Sequence, residues 1–153
     1  TRELADVIQL DHYFEQHSVA INTRHLILDR LAGLVRALHG AGINHRDLYL
    51  CHFMLKPASL SARQQPEIYL IDLHRAQCRA HVPLRWQVKD LAALYYSSLN
   101  LGVTRRDILR FLRVYFDCPL REIMATQPLL LKQVQRRAVK IYWRDFGHAP
   151  VFY

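Results

Sequence analysis

His45-Arg46-Asp47-Leu48-Tyr49-Leu50-Cys51-His52-Phe53, followed 25 residues beyond its aspartate by Ile71-Asp72-Leu73, is the stretch whose surroundings decide the fold. Upstream, Ile27, Leu31, Leu34, Val35 and Leu38 recur at helical spacing on one face. Thr23 is placed to cap that helix, and Gly40 to stop it as a C′ glycine. Downstream, Leu48 to Leu55 is a mixed apolar run with one strand-like end. Lys56 to Glu67, with Pro57, Pro66, serines and glutamines, reads as a surface loop. Ile68 to Leu73 reads as a short buried strand, so the two runs can form a hairpin across the loop. Asp47 then falls in a loop after a long helix, and Asp72 at the end of a strand.

The flanks are helical. A short helix is expected around Leu10 to Gln16, and another over Gln87 to Leu99, packing Leu91, Leu94, Tyr95 and Leu99. Thr104 with Asp107 reads as a capping box opening a helix to Phe116. Pro119 and Pro128 each stand where a helix can begin, and the last helix should run from Pro128 to about Arg144. The fold expected is mainly α (α+β), with one small β-hairpin. At 153 residues, 51% apolar and 22% charged, the chain has the length of one domain and enough apolar mass for a core, which excludes disorder. Cys51, Cys78 and Cys118 are odd in number and irregular in spacing, which argues for a reducing compartment over a disulfide scaffold. The longest uncharged run, Leu91 to Thr104, is shorter than the ~18–20 apolar residues a spanning helix needs. The chain opens on Thr1 rather than Met, which points to residues upstream.

Two aspartates so placed suit phosphoryl transfer. One carboxylate orients the attacking hydroxyl and accepts its proton; the other holds Mg²⁺ against nucleotide phosphates. Asp90, opening the helix after Trp86, is a third acid in this part of the chain. The alternative is that all three are ordinary caps and turn residues.

Residues 45–53, Ile-Asp-Leu-His-Arg-Ala-Gln77, Val82-Pro-Leu-Arg-Trp86, Lys89-Asp-Leu-Ala-Ala-Leu-Tyr-Tyr-Ser-Ser98 and Gly102-Val-Thr-Arg-Arg-Asp107 resemble the lipopolysaccharide core heptose(I) kinases of Gram-negative bacteria. The resemblance implies a protein-kinase-like C-terminal lobe and transfer of phosphate from ATP, with Mg²⁺, to a heptose of the lipopolysaccharide inner core. It implies Asp47 as catalytic aspartate and Asp72 as metal ligand. His45, Arg46 and Asp90 would support the catalytic loop (45–53), with the metal-binding strand end at 68–73 and a helical subdomain at 86–144. Residues 1–4 would end the hinge, where the backbone of Glu3 and Leu4 meets adenine. His52 stands where kinases in general carry an asparagine for a second metal. Mg²⁺ prefers oxygen ligands, so His52 is either a further metal ligand or a structural, phosphate-facing group. Arg75, Arg79 and Arg85 are expected to contact the acidic acceptor. The glycines at 33, 40, 42, 102 and 147 form no Gly-x-Gly-x-x-Gly, and none of the lysines at 56, 89, 132 and 140 precedes the catalytic loop. The chain therefore reads as a C-terminal lobe whose N-terminal nucleotide-binding lobe lies elsewhere, inactive by itself. The rival readings are a non-catalytic kinase-like binding module, or a kinase for another small molecule or protein.

Charge points to an anionic partner. The net charge is +8, with 17 arginines against 4 lysines, and guanidinium suits carboxylate and phosphate. Residues 104–153 hold 10 basic and 4 acidic side chains. Arg106, Arg110 and Arg113 share one helix face; Lys132, Arg136, Lys140 and Arg144 share another, with Arg137 beside them. An anionic membrane surface, the acidic sugars of the substrate or a small acidic protein would suit these faces, the alternative being an ordinary solvated face. Nucleic acid would not, since the stripes lack interleaved aromatics for base stacking. Cys51, His52, His74 and Cys78 form a weak zinc pattern without Cys-x-x-Cys, and it is set aside. The location expected is cytoplasmic, peripheral at the cytoplasmic face of the inner membrane.

Overall fold

Apolar spacing builds the framework, and the computed structural model describes residues 5–61 and 65–152 of it. The expected contacts of Glu3 and Leu4 lie outside the described residues. In chain order the elements are β1 (Ile8–Gln9), α1 (Leu10–Gln16), α2 (Ile21–Gly40), β2 (Ile43–Asn44), β3 (Phe53–Leu55), β4 (Ile68–Leu70) and β5 (Gln77–Cys78). α3 (Leu84–Ser98), α4 (Arg105–Phe116), α5 (Leu120–Thr126) and α6 (Pro128–Phe146) follow. α2 buries Ile27, Leu28, Leu31, Ala32 and Val35 and packs along α4. α3 buries Val88, Leu91, Ala92, Ala93 and Leu94 and packs along α6. Leu10, Ile27, Leu48, Phe53 and Leu55 are wholly buried where the helices meet the hairpin. Each stabilises by about 1.5–3 kcal/mol relative to exposure.

β3 and β4 form the expected hairpin, paired Phe53↔Leu70 to Leu55↔Ile68. Its loop is pinned by Ser59, whose hydroxyl donates to the Lys56 carbonyl (2.6 Å) and accepts from the Glu67 amide (2.9 Å). β1 adds an edge strand to this sheet, and β2 pairs with β5 in a second small sheet. These two-residue strands carry too little periodicity to read from sequence.

Several boundaries differ from the sequence reading. α2 begins at Ile21, with the Arg24 amide bonded to the Ala20 carbonyl (2.9 Å), so Thr23 lies inside the first turn and caps nothing. Gly40 is the last helical residue; the left-handed position is Gly42, at φ 75°. A Cβ there would stand 1.9 Å from the Arg79 carbonyl oxygen. Only glycine lets β5 cross this turn, and the Arg79 amide bonds to the Gly42 carbonyl (2.9 Å). β4 stops at Leu70, so Asp72 sits two residues past the strand, left-handed at φ 64°, ahead of a 3-10 turn over Leu73–Arg75. α3 starts at Leu84, before Trp86, which puts Asp90 in its second turn. α6 continues to Phe146, where Gly147 closes it at φ 74°. The Thr104–Asp107 capping box is formed as expected.

Candidate active site

Two loops meet at one imidazole. His52 ends a 3-10 turn at Leu50–His52. Its Nδ1 donates to the Asp47 carbonyl (2.7 Å), and its Nε2 lies 3.4 Å from an Asp72 carboxylate oxygen. The ring thus links the backbone of Asp47 to the carboxylate of Asp72. Arg75 places Nη1 on both carboxylate oxygens of Asp47, at 3.1 and 2.8 Å. His74 bonds the other oxygen of Asp72 through Nδ1. Asp47 is 23% exposed and Asp72 39%, so both carboxylates are open to a solvent-borne reactant.

The backbone carrying Asp47 is strained and then restrained. Arg46 is left-handed at φ 76°, an uncommon state for a long side chain. Wholly buried Asp90 offsets that cost: its carboxylate accepts from the His45 amide (2.7 Å) and the Arg46 amide (2.8 Å). Buried charge-assisted bonds of this kind are worth about 1.5–3 kcal/mol each. The His45 ring, also wholly buried, donates from Nε2 to the Ile71 carbonyl (2.9 Å) and stacks on His52 at 5.6 Å. His45 thus ties the Asp47 loop to the residue before Asp72.

A polar network behind Asp90 escaped the sequence reading. Gln87 Nε2 donates to the Tyr115 hydroxyl (2.7 Å), and that hydroxyl lies 2.6 Å from His39 Nδ1. With Tyr115 donating to Nδ1, His39 Nε2 carries the proton that faces Asp90 at 3.3 Å. Burial pushes the Tyr115 phenol up to about 12, so it stays a donor. The available signal was His39 itself, a polar residue on the apolar face of α2.

The arginines expected at the acceptor separate. Arg75 reaches Asp47. Arg79 bonds Asn44 Oδ1 and Gln77 Oε1, each at 2.6 Å, and so braces β2 against β5. Arg85 lies at the exposed start of α3 against the Trp86 ring, 5.5 Å from its centroid. Two members of the basic stripes are already neutralised: Arg110 by Asp29 in a bidentate pair at 2.7 Å, and Arg144 by the adjacent Asp145.

For Mg²⁺ the chemistry of the donors fits. Mg²⁺ is usually held by one or two carboxylates together with phosphates and water. Asp72 offers such a partly exposed carboxylate, and no cluster of three or more His, Cys, Asp or Glu side chains suited to a metal occurs among the described residues.

A helical lobe, a loop acid whose backbone is anchored by a buried helix aspartate, and a second acid past the hairpin match a protein-kinase-like C-terminal lobe. The Lipopolysaccharide kinase (Kdo/WaaP) family profile matches residues 1–115, and the chain belongs to that family. It is 44% identical over 144 residues to the lipopolysaccharide core heptose(I) kinase WaaP of Escherichia coli K12, covering 92% of this chain and 54% of that protein. It is 43% identical over 147 residues to the enzyme of the same name from Pseudomonas aeruginosa, covering 94% and 55%. The chain thus spans about half the length of these relatives. A solved structure of WaaP in complex with acyl carrier protein superposes with a TM-score of 0.81 at 44% identity, over 92% of this chain and 59% of that one.

Proposed function

We propose that this chain is the C-terminal lobe of an ATP-dependent kinase that phosphorylates a heptose of the lipopolysaccharide inner core. The observation that carries the reading is His52 tying the backbone of the Asp47 loop to the Asp72 carboxylate, in a chain so close to named heptose kinases. Asp47 orients the heptose hydroxyl and accepts its proton. Arg75, now on Asp47, is placed to meet phosphate oxygens once the acceptor occupies that carboxylate. Asp72 would hold Mg²⁺, with His52 beside it; the ion, when bound, neutralises phosphate charge. Asp90, His45 and Arg46 keep the loop in shape. The rest of the longer protein would supply the nucleotide-binding lobe, with residues 1–4 as the hinge. A pure binding module has no need of two half-exposed aspartates held this way, which disfavours the non-catalytic reading.

Two further assignments belong to this reading. Arg105, Arg106 and Arg113 of α4 have no carboxylate partner among the described residues, and we assign that face to a small acidic protein of the acyl carrier type. Beneath it, Leu31, Leu91, Leu94, Ile108 and Phe111 line a mainly apolar cavity of about 320 Å³. The enzyme would work peripherally at the cytoplasmic face of the inner membrane. No helix among the described residues is long and apolar enough to cross a bilayer. Anionic lipid adds about 1 kcal/mol of attraction per nearby Lys or Arg.

The test uses the full-length protein. Asp47→Ala should lower turnover roughly 10²–10⁴-fold, the range of general-base contributions, with ATP binding retained. Asp72→Ala should remove Mg²⁺-dependent ATP binding as well. Parent-like turnover in either variant overturns the assignment.

A further inference from the structure

α3 and α6 share a shallow, open groove on the surface. Arg85 and Val88 of α3 line it, with Arg136, Arg137, Lys140 and Trp143 of α6. We propose that this groove binds the carboxylate or phosphate groups of the acceptor oligosaccharide and guides its heptose to Asp47. The proposal rests on the heptose-kinase reading and adds to it the place and the chemistry of acceptor recognition.

Charge is the first argument. Elsewhere arginines meet carboxylates: Arg24 meets Asp107, Arg36 meets Asp117, Arg75 meets Asp47 and Arg110 meets Asp29. Arg85, Arg136, Arg137 and Lys140 meet none among the described residues, and no acidic side chain lines the groove. Four cations left together repel one another, and an anion lodged among them removes that repulsion.

The wall is the second. Trp143 is 57% exposed and lines the groove, so its indole is available to a ligand there. A flat aromatic face beside guanidinium groups suits an acidic sugar, whose C–H face packs on the ring while its anionic group meets Arg.

The third is continuity with the catalytic loop. Trp86 gathers Arg46 (5.2 Å), Arg79 (5.7 Å), Arg85 (5.5 Å) and Lys89 (5.2 Å) around its ring centroid. Arg85 belongs to both this cluster and the groove, and Arg46 adjoins Asp47. A positive track therefore runs from α6 to the catalytic aspartate.

Full-length enzyme should be titrated with deacylated inner-core oligosaccharide, followed by Trp fluorescence and calorimetry. Carboxyl-reduced and dephosphorylated oligosaccharides separate the two anion sources. The parent should bind the native form at least tenfold more tightly than one of these. Arg136→Glu with Lys140→Glu should weaken binding and raise the acceptor KM at least tenfold, leaving the ATP KM and the saturated kcat within twofold. Arg136→Gln with Lys140→Gln should show a smaller loss in the same direction at unchanged melting temperature, and Trp143→Ala a three- to tenfold loss. Parent-like oligosaccharide binding by the charge-reversed variant overturns the proposal. So does parent binding that ignores both charge removals, or a variant that loses only anionic vesicles or acyl carrier protein. If the oligosaccharide binds as described but receives no phosphate, the heptose-kinase reading fails and the groove stands.

Discussion

Asp90 and Asp107 lie in the helical half of the chain; Asp47 and Asp72 lie in the loops around the hairpin. Asp90 is wholly buried and Asp107 3% exposed, and their oxygens are met by backbone amides, His39, Thr104 and Arg24. The loop acids are 23% and 39% exposed, and Arg75 and His74, both from one exposed 3-10 turn, hold them. A carboxylate that maintains a fold is enclosed by partners that cannot leave. A carboxylate that reacts is held by side chains that can. Mutation should therefore separate the two sets: the loop acids should affect turnover with little change in stability, and the helix acids should affect stability first.

The largest expected effect on rate with the smallest on folding is Asp47→Asn. In the full-length enzyme turnover should fall roughly 10²–10⁴-fold, while the melting temperature stays within about 2 °C, since the Arg75 pair it breaks is largely exposed. A large loss of melting temperature would place Asp47 among the structural acids. Asp90→Ala should do the opposite. It strands the His45 and Arg46 amides and His39 in the interior, at about 1–3 kcal/mol per unmet group, a loss on the order of 4 kcal/mol by urea unfolding. Turnover should fall too, because Arg46 then relaxes from its left-handed conformation. Unchanged stability would refute the anchoring role.

Gly42→Ala tests the seam between the two halves. The left-handed position costs an L-residue about 1–2 kcal/mol, and the added Cβ meets the Arg79 carbonyl, so β5 must shift. A stability loss of about 2–3 kcal/mol is expected, with faster exchange of the Arg79 amide. Parent-like exchange there would mean the turn adapts without moving β5.

The same contrast explains what the sequence made legible. The helices over residues 21–40, 84–98, 105–116 and 128–146 announce themselves through apolar spacing, a capping box and Pro128, all local signals. The β3–β4 hairpin is legible because its two runs are short, apolar and separated by a polar loop. Asp47 and Asp72 stand out by their spacing, and His52 bonds the backbone carbonyl of the first and faces the carboxylate of the second. What stayed hidden depends on residues far apart in sequence. His39, Gln87 and Tyr115 meet only when α2, α3 and α4 pack. β2 and β5 pair only because Gly42 admits Arg79. Arg110 looked available on a basic stripe, and only the fold brings Asp29 to it.

The α2–α4 seam gives a pH test. Burial acts to raise the Asp107 carboxyl, but Arg24 and the Thr104 donors outweigh it and hold it below its ordinary 3.8. A carboxylate depressed on folding stabilises fully above its unfolded value, and that contribution is lost as pH falls through the folded one. Asp107→Asn should therefore cost about 1–3 kcal/mol at pH 7, as cap and ion pair weaken together. The difference from the parent should shrink below pH ~4. A gap that persists unchanged at pH 2.5 would assign the loss to packing.

The smallest effect should come from the neighbouring pair on the same helix. Arg110 and Asp29 have the better geometry, two parallel bonds at 2.7 Å, whereas Arg24 places both of its bonds on one Asp107 oxygen. Burial ranks them the other way: Arg110 and Asp29 are 39% and 36% exposed, against 17% and 3% for Arg24 and Asp107. Water screens the exposed pair, and removing one partner leaves the other solvated rather than stranded. A double-mutant cycle of Arg110→Ala and Asp29→Ala should give a coupling of about 0.2–1 kcal/mol, declining as salt rises from 0.05 to 1 M, where the Debye length falls to ~3 Å. The Arg24–Asp107 cycle should give a larger coupling that salt barely changes. If the two cycles match in size and salt response, bond geometry and not burial sets the strength of the seam, and exposure loses its place as the property that divides working carboxylates from structural ones.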